Sequence, residues 1–369
     1  MKTLVIDCRM IAMSGIGRYI SELLPFIIAE LGKDVVLLGK KDELKQYNNK
    51  IIEFDAPIYS IQEQINYRKI IPKSKLFWSP HFNIPLVPIK PEKRITTIHD
   101  VYHLAFYKEL SIFQKIYAKI VINEALSKSD KIVTVSKFSK NEILAYTNNK
   151  YKDKIEVIYN GVSEYQFDKI IATPKNDIFE IEQYPYFLFV GNIKPHKNLE
   201  NALRAYIIFI ENLPENIKKP HFKIVGKREG FINGNNMQLG NLINENPIIK
   251  NLVDFTGFVS DLKLKELYSQ ALALVFPSKY EGFGLPLLEA MKYKCPVLAS
   301  NIPPIKEICV DSALYFDPNS IEDISKKINN IYSSKQLRDN LINKGYFKYK
   351  EFSWEESAKK HLNILMKLL

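Results

Sequence analysis

Cysteine is scarce in this chain of 369 residues, which contains only Cys8, Cys295 and Cys309. Such a sparse, odd set argues against a disulfide framework and favours a reducing compartment. Because no CxxC pair occurs, a structural zinc site is not expected either. The sequence also lacks any run of five or more like charges, so it has no basic arm of the kind that binds nucleic acid.

Long apolar segments are missing as well. Apolar runs such as 186–190 and 272–276 have the length of strands, and none approaches the ~20 residues that a membrane-spanning helix needs. Near the start of the chain, Asp7 interrupts the apolar run before the core of a signal peptide could form. We therefore expect a cytoplasmic protein, with peripheral contact to the inner face of the cytoplasmic membrane left open.

What the chain has in excess is positive charge. Lys and Arg number 52 against 41 Asp and Glu, a net charge of +11, and the first half is the more basic. This excess suggests an anionic partner, which could be a nucleic acid, a phosphorylated small molecule or an acidic membrane face. The contents of 46% apolar and 25% charged residues exclude a disordered chain or a coiled coil. The length predicts two domains of roughly 150–200 residues each.

Short apolar runs alternate with helical stretches along the chain, and this alternation occurs in two series. Most of the runs are fully apolar, as expected for parallel strands that are covered on both faces. The pattern predicts an α/β protein with two Rossmann-like domains that face each other across a cleft. Strands are expected at 3–6, 35–38, 76–78, 95–98, 132–135 and 155–157, and then at 186–190, 222–225, 253–255, 272–276, 297–299 and 313–316.

An irregular segment, 163–185, separates the two series and is interpreted as a linker. The first domain is then expected over 1–165 and the second over 178–352. A helix over 354–369 follows, with leucines at helical spacing. It could pack on either domain, including back on the first.

Open parallel sheets bind ligands at the carboxyl ends of their strands, so residues directly after the predicted strands are candidates for a site. Gly15 and Gly17 follow the first strand and open a helix, where the backbone could approach an anion. His99 closes another strand and could orient a substrate, although a structural core histidine is the plainer alternative. Lys194 and Lys197 follow the first strand of the second series and suit phosphate oxygens, with an ordinary solvated turn as the alternative.

The most informative segment is 277–290, in which a glycine-containing loop follows an apolar strand and leads into a helix. Backbone amides from Gly282 to Leu285 could cradle a pyrophosphate. Glu281 in the loop and Glu289 in the helix could reach different parts of one ligand. The plainer alternative is that Glu289 only stabilises the helix as an acidic residue near its start, and that Glu281 is solvated. The combination of carboxylates with a glycine loop at a strand end favours the ligand-binding interpretation.

With these residues the sequence resembles the retaining glycosyltransferases of the GT-B fold, family 4. The segment from Glu281 to Glu289 matches the E-x7-E signature of that family. The resemblance covers nearly the whole chain, because other segments agree in order: the Gly15/Gly17 loop, 96–100, 133–139, 159–162, 190–198 and 255–258.

The resemblance implies a nucleotide-diphosphate sugar as donor, bound by the second domain, and a saccharide or lipid-linked saccharide as acceptor, bound by the first. It implies catalytic roles for His99 near the reacting centre, Lys197 on the donor phosphate and Glu281 near the transferred sugar. It also implies that Glu289 holds the ribose. The donor-binding residues implied in this way are Gly15, Gly17, Asn192, Lys194, Lys197, Gly282, Phe283, Gly284, Leu285 and Glu289.

The family typically transfers with retention and without an essential metal, and the sequence lacks a DxD motif, so neither a metal site nor a cofactor is expected. Asn192 stands where many members have an arginine, which leaves Lys194 or His196 to supply a second positive group. The segment 191–198 resembles a subgroup of bacterial polysaccharide mannosyltransferases. GDP-mannose is therefore the first expectation for the donor, in the synthesis of O-antigen, capsule or lipopolysaccharide.

Three alternatives concern function and partners. The same fold could serve a nucleotide-sugar epimerase or hydrolase, which would act on the donor without an acceptor. A nucleic-acid-binding protein would need a clustered basic face with aromatic stacking residues, and no such module is recognised, so no nucleic acid partner is expected. Residues 102–131 combine aromatic residues with lysines and could present a basic, aromatic helix face to anionic lipid, or simply cover the sheet.

Overall fold

The computed structural model describes residues 3–106, 112–162, 184–226 and 237–369. The chain divides into two compact units, one formed by Met1–Ser163 with Phe352–Leu369 and the other by Glu164–Glu351. The segment interpreted as a linker lies outside the described residues over 163–183.

Each unit contains one fully parallel sheet. In the first unit the strand order is β3-β2-β1-β4-β5-β6-β7, and in the second it is β10-β9-β8-β11-β12-β13. The strands of the first unit are β1 (Leu4–Asp7), β2 (Val35–Gly39), β3 (Lys50–Glu53), β4 (Leu76–Ser79), β5 (Lys93–Ile98), β6 (Lys131–Thr134) and β7 (Ile155–Val157). Those of the second unit are β8 (Tyr186–Val190), β9 (His221–Val225), β10 (Val253–Gly257), β11 (Ala273–Phe276), β12 (Val297–Ser300) and β13 (Ala313–Phe316).

Helices connect the strands and cover the sheets. The first unit contains α1 (Ser14–Leu31), α2 (Lys41–Leu44), α3 (Ile61–Ile70), α4 (Tyr102–Ala105), α5 (Ile112–Lys128) and α6 (Lys137–Tyr146). The second contains α7 (Leu199–Glu211), α8 (Met237–Glu245), α9 (Asp261–Gln270), α10 (Leu285–Lys292), α11 (Pro303–Cys309), α12 (Ile321–Ser333) and α13 (Lys335–Lys348). The chain ends with α14 (Trp354–Leu368), which belongs to the first unit. Within the described ranges, no helix combines the length and the apolar character needed to cross a membrane.

The two parallel sheets confirm the predicted α/β class with two Rossmann-like domains. One strand was missed. Strand β3 was not expected, because only two apolar residues lie between Lys50 and Glu53, as suits an edge strand with exposed ends. Helix α1 begins at Ser14, so Gly15 and Gly17 lie in its first turn and open the helix as expected.

Helix α14 docks on α1 through a buried chain of hydrogen bonds. The His361 Nδ1 atom donates to the carbonyl oxygen of Ser357 (2.7 Å), so Nε2 accepts from the Tyr19 hydroxyl (2.6 Å). The Tyr19 oxygen also lies 3.0 Å from Thr97 Oγ1 on β5. At the start of α14, the backbone packs directly against Gly161. A Cβ atom on Gly161 would lie only 2.1 Å from the Trp354 nitrogen. The motif at 159–162 thus serves to hold the C-terminal helix.

Each sheet has one place where the strand order reverses. In the first unit this switch point lies between β1 and β4, and in the second it lies between β8 and β11. Connections leave such a pair of strands in opposite directions, which opens a crevice at the carboxyl ends. The residues that follow these four strands are therefore the ones to examine for a site.

Candidate active site

An ion pair lies at the switch point of the second unit. Lys197, from the loop after β8, places its Nζ atom 2.6 Å from Oε1 of Glu281, from the loop after β11. The Glu281 side chain is 10% exposed and that of Lys197 is 21% exposed. The Lys197 ammonium also lies 5.8 Å from the centre of the Phe276 ring. The structure therefore brings together two residues that the sequence placed 84 positions apart.

Backbone and amide contacts hold the two loops against each other. Asn198 has a left-handed conformation (φ 57°) and is buried, and its Nδ2 atom donates to the carbonyl oxygens of Pro277 (3.0 Å) and Pro318 (2.8 Å). The Lys279 amide donates to the carbonyl oxygen of His196 (2.8 Å). These contacts fix the backbone on both sides of the ion pair.

The segment from Gly282 to Leu285 leads from Glu281 into α10. Gly284 is the N-cap residue and has a φ of 103°, where a Cβ atom would lie 2.7 Å from the Leu287 side chain. A glycine N-cap has no side chain to bond the first helical amides, and the helix dipole favours an anion at this end. Phe283 is 4% exposed and packs into the core. The loop thus enters α10 through a glycine in a left-handed conformation, without a side-chain cap from that residue.

Glu289 lies on the second turn of α10 and is half-buried. Its Oε2 atom accepts a hydrogen bond from the hydroxyl of Tyr268 on α9 (3.0 Å). Tyr268 is fully buried, so this hydroxyl has a fixed position. Sequence reasoning missed this partner, because nothing in the α9 pattern distinguishes Tyr268 from a core residue.

Three further donor-site candidates lie in the turn after β8. Asn192 and His196 are half-buried, whereas Lys194 is exposed to solvent. Lys194 and Lys197 occupy one short turn, since the Lys197 amide donates to the Lys194 carbonyl oxygen (2.9 Å). Both positive groups therefore stand close to the carboxyl end of β8.

In the first unit, the two glycines of α1 have different environments. A Cβ atom on Gly17 would lie 2.3 Å from the Ile11 carbonyl oxygen, so Gly17 is required for packing. A Cβ atom on Gly15 would meet nothing within 4 Å. Met13, the N-cap residue of α1, makes no side-chain cap with the first amides. Gly15 therefore leaves the backbone accessible at the start of the helix. Gly17 allows α1 to pack closely against the backbone of Ile11.

His99 follows β5 and is held in one orientation. Its Nε2 atom lies 2.9 Å from the Pro80 carbonyl oxygen, which can only accept, so Nε2 donates and Nδ1 keeps its lone pair. Burial lowers the pKa of His99, which keeps the ring neutral. The Tyr19 ring meets it edge to face at 4.7 Å. A neutral imidazole with an accepting Nδ1 atom can receive a hydrogen bond from a substrate hydroxyl.

The motif at 133–139 supports His99 through the backbone. Ser136 caps α6 by accepting a hydrogen bond from the Ser139 amide (3.0 Å), and the Ser139 hydroxyl donates to the His99 carbonyl oxygen (3.0 Å). The segment 133–139, one of those that carry the family resemblance, therefore positions the backbone of His99.

A buried charged cluster at the switch point of the first unit was not predicted. Arg9 Nη2 lies 2.8 Å from Oδ2 of Asp7, at the end of β1, and 2.7 Å from Oε1 of Glu63 on α3. Burial would raise the pKa of Asp7, but the Arg9 charge lowers it well below its usual range. Asp7 and Arg9 lie close together in the sequence, but the sequence does not predict that Glu63 contacts Arg9.

Metal ligands do not gather in the part of the chain that the structure describes, where no three His, Cys, Asp or Glu side chains form a group able to hold an ion. The positive charge at the second-unit site comes from lysine side chains and a helix start.

Known families match both halves of the chain. A family model for "Glycosyltransferase Family 4" matches residues 13–164, and one for "Glycosyl transferases group 1" matches residues 172–348. The chain is 29% identical over 296 residues to the O-antigen chain mannosyltransferase B of Escherichia coli, covering 79% of this chain and 74% of that protein. It is 34% identical over 265 residues to the O-antigen chain mannosyltransferase RfbU of Salmonella typhimurium, covering 72% and 66%. The chain belongs to glycosyltransferase family 4.

The fold of this family 4 glycosyltransferase is also that of solved structures. Anabaena Alr3699/HepE, crystallised with UDP and glucose, superimposes with a TM-score of 0.71 over 99% of this chain and 100% of that one. The two sequences are 15% identical, so this likeness concerns the GT-B fold alone. In the family 4 chain described here, the E-x7-E segment lies at the second-unit switch point, beside Lys197.

Proposed function

We propose that this glycosyltransferase is a retaining hexosyltransferase that moves mannose from GDP-mannose to a saccharide or lipid-linked saccharide. Two similar proteins are named O-antigen chain mannosyltransferases, which supports mannose as the sugar and cell-surface polysaccharide as the product. The unit containing β8–β13 would bind the donor, and the unit containing β1–β7 would bind the acceptor.

The observation that carries the proposal is the ion pair of Lys197 with Glu281 at the second-unit switch point. One carboxylate and one ammonium, 2.6 Å apart, can contact adjoining groups of one ligand, a sugar and the phosphate bonded to it. In the proposed complex Lys197 binds a phosphate oxygen, and Glu281 accepts a hydrogen bond from the sugar. Glu289 binds the ribose, and the backbone of Gly282, Phe283, Gly284 and Leu285 lies against the sugar and phosphates.

The departing diphosphate would be stabilised electrostatically. Lys197, the start of α10 and, further out, Lys194 are preorganised positive groups at the point where negative charge develops. Asn192 can add a neutral hydrogen bond, and Gly15 offers the open start of α1 in the first unit. We propose that these groups suffice without a divalent metal or cofactor, so the transfer rate should persist in EDTA.

The bond changes follow from retention at the anomeric carbon. The bond from C1 to the diphosphate oxygen breaks, and the acceptor oxygen forms a new bond to C1 on the same face. The proton of the acceptor hydroxyl passes to the departing phosphate oxygen. No protein nucleophile is assigned. His99, neutral and accepting at Nδ1, would hold a hydroxyl of the transferred sugar beside the reacting centre.

Transfer followed by NMR tests the proposal. Wild-type protein with GDP-mannose and a mannose-terminated acceptor should form an α-linked product from the α-linked donor. Glu281→Ala should lower the transfer rate by about 100-fold or more, as loss of a single transition-state contact does. Glu211→Gln, a change at the exposed end of α7, is the control for charge. Inverted product, or a folded Glu281→Ala protein with the wild-type rate, would contradict the proposal.

We also propose that α5 contacts an anionic membrane surface. Ile112, Ile116 and Ile120 lie one helical turn apart and are 71%, 53% and 48% exposed, with the exposed Lys119 beside them. The Tyr117 hydroxyl donates to Oδ1 of the buried Asn83 (2.6 Å), so the described exposed side chains of this face are the three isoleucines and Lys119.

Vesicle flotation tests this contact. The wild-type protein should float with vesicles containing anionic lipid at low salt, and Ile116→Ser with Ile120→Ser should reduce the floated fraction. Phe347→Ser, which removes an even more exposed apolar side chain (72%) from the second unit, is the control. Wild-type protein that stays unbound at low salt contradicts the membrane proposal.

A further inference from the structure

The buried charged cluster of the first unit is arranged to position neighbouring segments of the chain. Asp7, Glu63 and Arg9 carry three charges in a region where their side chains are at most 3% exposed. The Tyr67 hydroxyl donates to Asp7 Oδ2 (2.9 Å). Removing three charges from water is costly, and an apolar core of the same volume is often at least as stable. The hydrogen bonds that the cluster makes to neighbouring segments indicate what it holds in place.

Two routes of hydrogen bonds lead from the cluster to the surface. Glu63 Oε2 accepts from the backbone amide of Tyr59 (2.9 Å). Both oxygens of Glu63 also lie 2.9 Å from Nδ2 of Asn83, and Asn83 Oδ1 accepts from the Tyr117 hydroxyl. The buried carboxylate thus fixes one aromatic residue through its backbone and another through its hydroxyl.

Four rings meet at this place, and we call them the aromatic platform: Tyr59, Phe82, His103 and Tyr117. Tyr59 stacks on Phe82 with ring centres 6.2 Å apart and an angle of 27°. Tyr117 meets Tyr59 edge to face at 5.9 Å, and His103 meets Phe82 at 5.4 Å. All four residues are at least partly exposed, and Tyr59 is 49% exposed.

Tyr59 is held in a strained conformation. Its φ is 66°, a left-handed region that L-residues other than asparagine and aspartate rarely adopt. Strain of this kind persists where the surroundings enforce it, and it is concentrated at ligand-binding sites. Here a buried carboxylate enforces it, and the result is a half-exposed ring. A residue selected only for folding at this position would be glycine.

The platform lies beside the candidate catalytic histidine. Phe82 belongs to the turn after β4 whose Pro80 carbonyl oxygen accepts the hydrogen bond from His99. The platform is therefore within a few residues of the group that we place near the reacting centre, at the carboxyl ends of the strands.

We propose that the aromatic platform binds a pyranose ring of the acceptor saccharide. The C–H face of a pyranose packs on an aromatic ring, and its equatorial hydroxyls are within reach of polar groups at the ring edges, which the tyrosine hydroxyls and the His103 imidazole provide. The assignment rests on the proposed function, because that function makes the acceptor a saccharide.

Substitution of Tyr59 separates a binding role from a folding role. Tyr59→Gly removes the ring and also relieves the left-handed strain, so the melting temperature should stay equal or rise. Saturation-transfer NMR would be recorded with the methyl glycosides of mannose, glucose, galactose and N-acetylglucosamine. At least one should receive saturation on its ring C–H protons from the wild-type protein, and that signal should fall at least fivefold in Tyr59→Gly.

Asn149→Gly is the matched control, since Asn149 has the same left-handed conformation (φ 60°) in the same unit but carries no ring. It should leave the glycoside signal unchanged. Phe82→Leu is a second variant that should also weaken the signal, should Tyr59→Gly fail to fold. The proposal is overturned if no glycoside receives saturation from the wild-type protein, or if both platform variants retain the full signal.

Nucleotide binding distinguishes this proposal from the proposed function. Tyr59→Gly should bind GDP with wild-type affinity, because the platform lies in the first unit and Lys197 in the second. A protein that binds glycosides through Tyr59 but no sugar nucleotide contradicts the proposed donor and leaves the platform in place. The opposite result is also possible: the protein binds GDP-mannose, but its platform variants keep the wild-type KM for the acceptor. That result contradicts acceptor binding at the aromatic platform and leaves the proposed donor in place.

Discussion

Lys197 and Glu281 are counterions of each other at the carboxyl ends of β8 and β11. Each was a candidate from its position after a predicted strand, and the structure brings the two groups into direct contact. In the proposed donor complex, a bound diphosphate would compete with Glu281 for the ammonium. The pair would then open toward the phosphate.

Replacing Lys197 should weaken nucleotide binding. Lys197→Ala removes the ammonium and leaves Glu281, 9% exposed, without a counterion. We expect the dissociation constant for GDP to rise about tenfold or more, the effect of losing one charge-assisted hydrogen bond. Calorimetry gives the affinity, and Lys335→Ala, which removes an 82% exposed lysine, is the control. Unchanged affinity for GDP in Lys197→Ala would remove this residue from the site.

In the proposed donor complex, Tyr268 would act on the nucleotide through Glu289. Its hydroxyl donates to Oε2 of that carboxylate and so fixes the group that we propose binds the ribose. Tyr268→Phe should lower the ability to tell GDP from 2′-deoxy-GDP by about threefold to tenfold. Tyr206→Phe is the matched control, because that buried hydroxyl donates to the Pro220 carbonyl oxygen instead. Loss of stability with discrimination intact would mean that Tyr268 serves folding alone.

The residues that sequence reasoning could not find are those assembled from distant segments. Arg9 and Glu63 are separated by two strands, and their contact depends on how α3 returns over the sheet. Tyr59 carries no signal in the sequence, because a left-handed tyrosine looks like any other loop residue. Candidates after single strands could be named from the pattern, since the carboxyl end of each strand is fixed by the fold class.

At the scale of elements, continuous apolar runs predicted the buried strands well, because parallel strands covered on both faces leave few polar positions. Strand β3 escaped, since an edge strand needs only one or two apolar residues. Helix α14 was recognised by its leucine spacing, but its partner could not be chosen. Its docking depends on His361, which the chain places 342 residues after Tyr19.

His361 makes the first unit sensitive to acid. Burial lowers the pKa of His361 from 6.5 to about 4, so the folded unit resists protonation and the unfolded chain takes the proton. The stability contributed by the neutral histidine is complete above pH 6.5 and is lost as the pH falls toward 4. Between pH 7 and pH 5 we expect a loss of about 2 kcal/mol from this group.

Urea unfolding at pH 7 and pH 5 measures this loss. Tryptophan fluorescence reports the first unit selectively, because Trp78 and Trp354 both lie beside Tyr19. His361→Gln should be less stable at pH 7 and should show a smaller difference between the two pH values than the wild type. His221→Gln, which changes a half-buried histidine of the second unit, is the control. An identical pH difference in His361→Gln and wild type would contradict the role of this histidine.

On the scale of the whole molecule, the sequence predicted two parallel α/β units because their strand–helix alternation repeats twice. The two units carry different groups: the second has lysines, two carboxylates and a helix start without a side-chain cap, whereas the first has a neutral histidine and partly exposed aromatic rings. Part of the +11 net charge lies where a diphosphate would bind. Lys119, beside the isoleucine face of α5, would bring another part of it to an anionic surface under the proposed membrane contact.

A thermal-shift measurement on the wild-type protein with GDP-, UDP- and dTDP-sugars tests the central claim most directly. A ligand that binds only the folded state raises the melting temperature by mass action. At a ligand concentration 100 times its dissociation constant, the free energy of unfolding increases by about 2.7 kcal/mol. We predict that GDP-mannose raises the melting temperature by several degrees and that the UDP- and dTDP-sugars raise it less. A melting temperature that no sugar nucleotide changes would contradict the assignment of the second-unit switch point as a donor site.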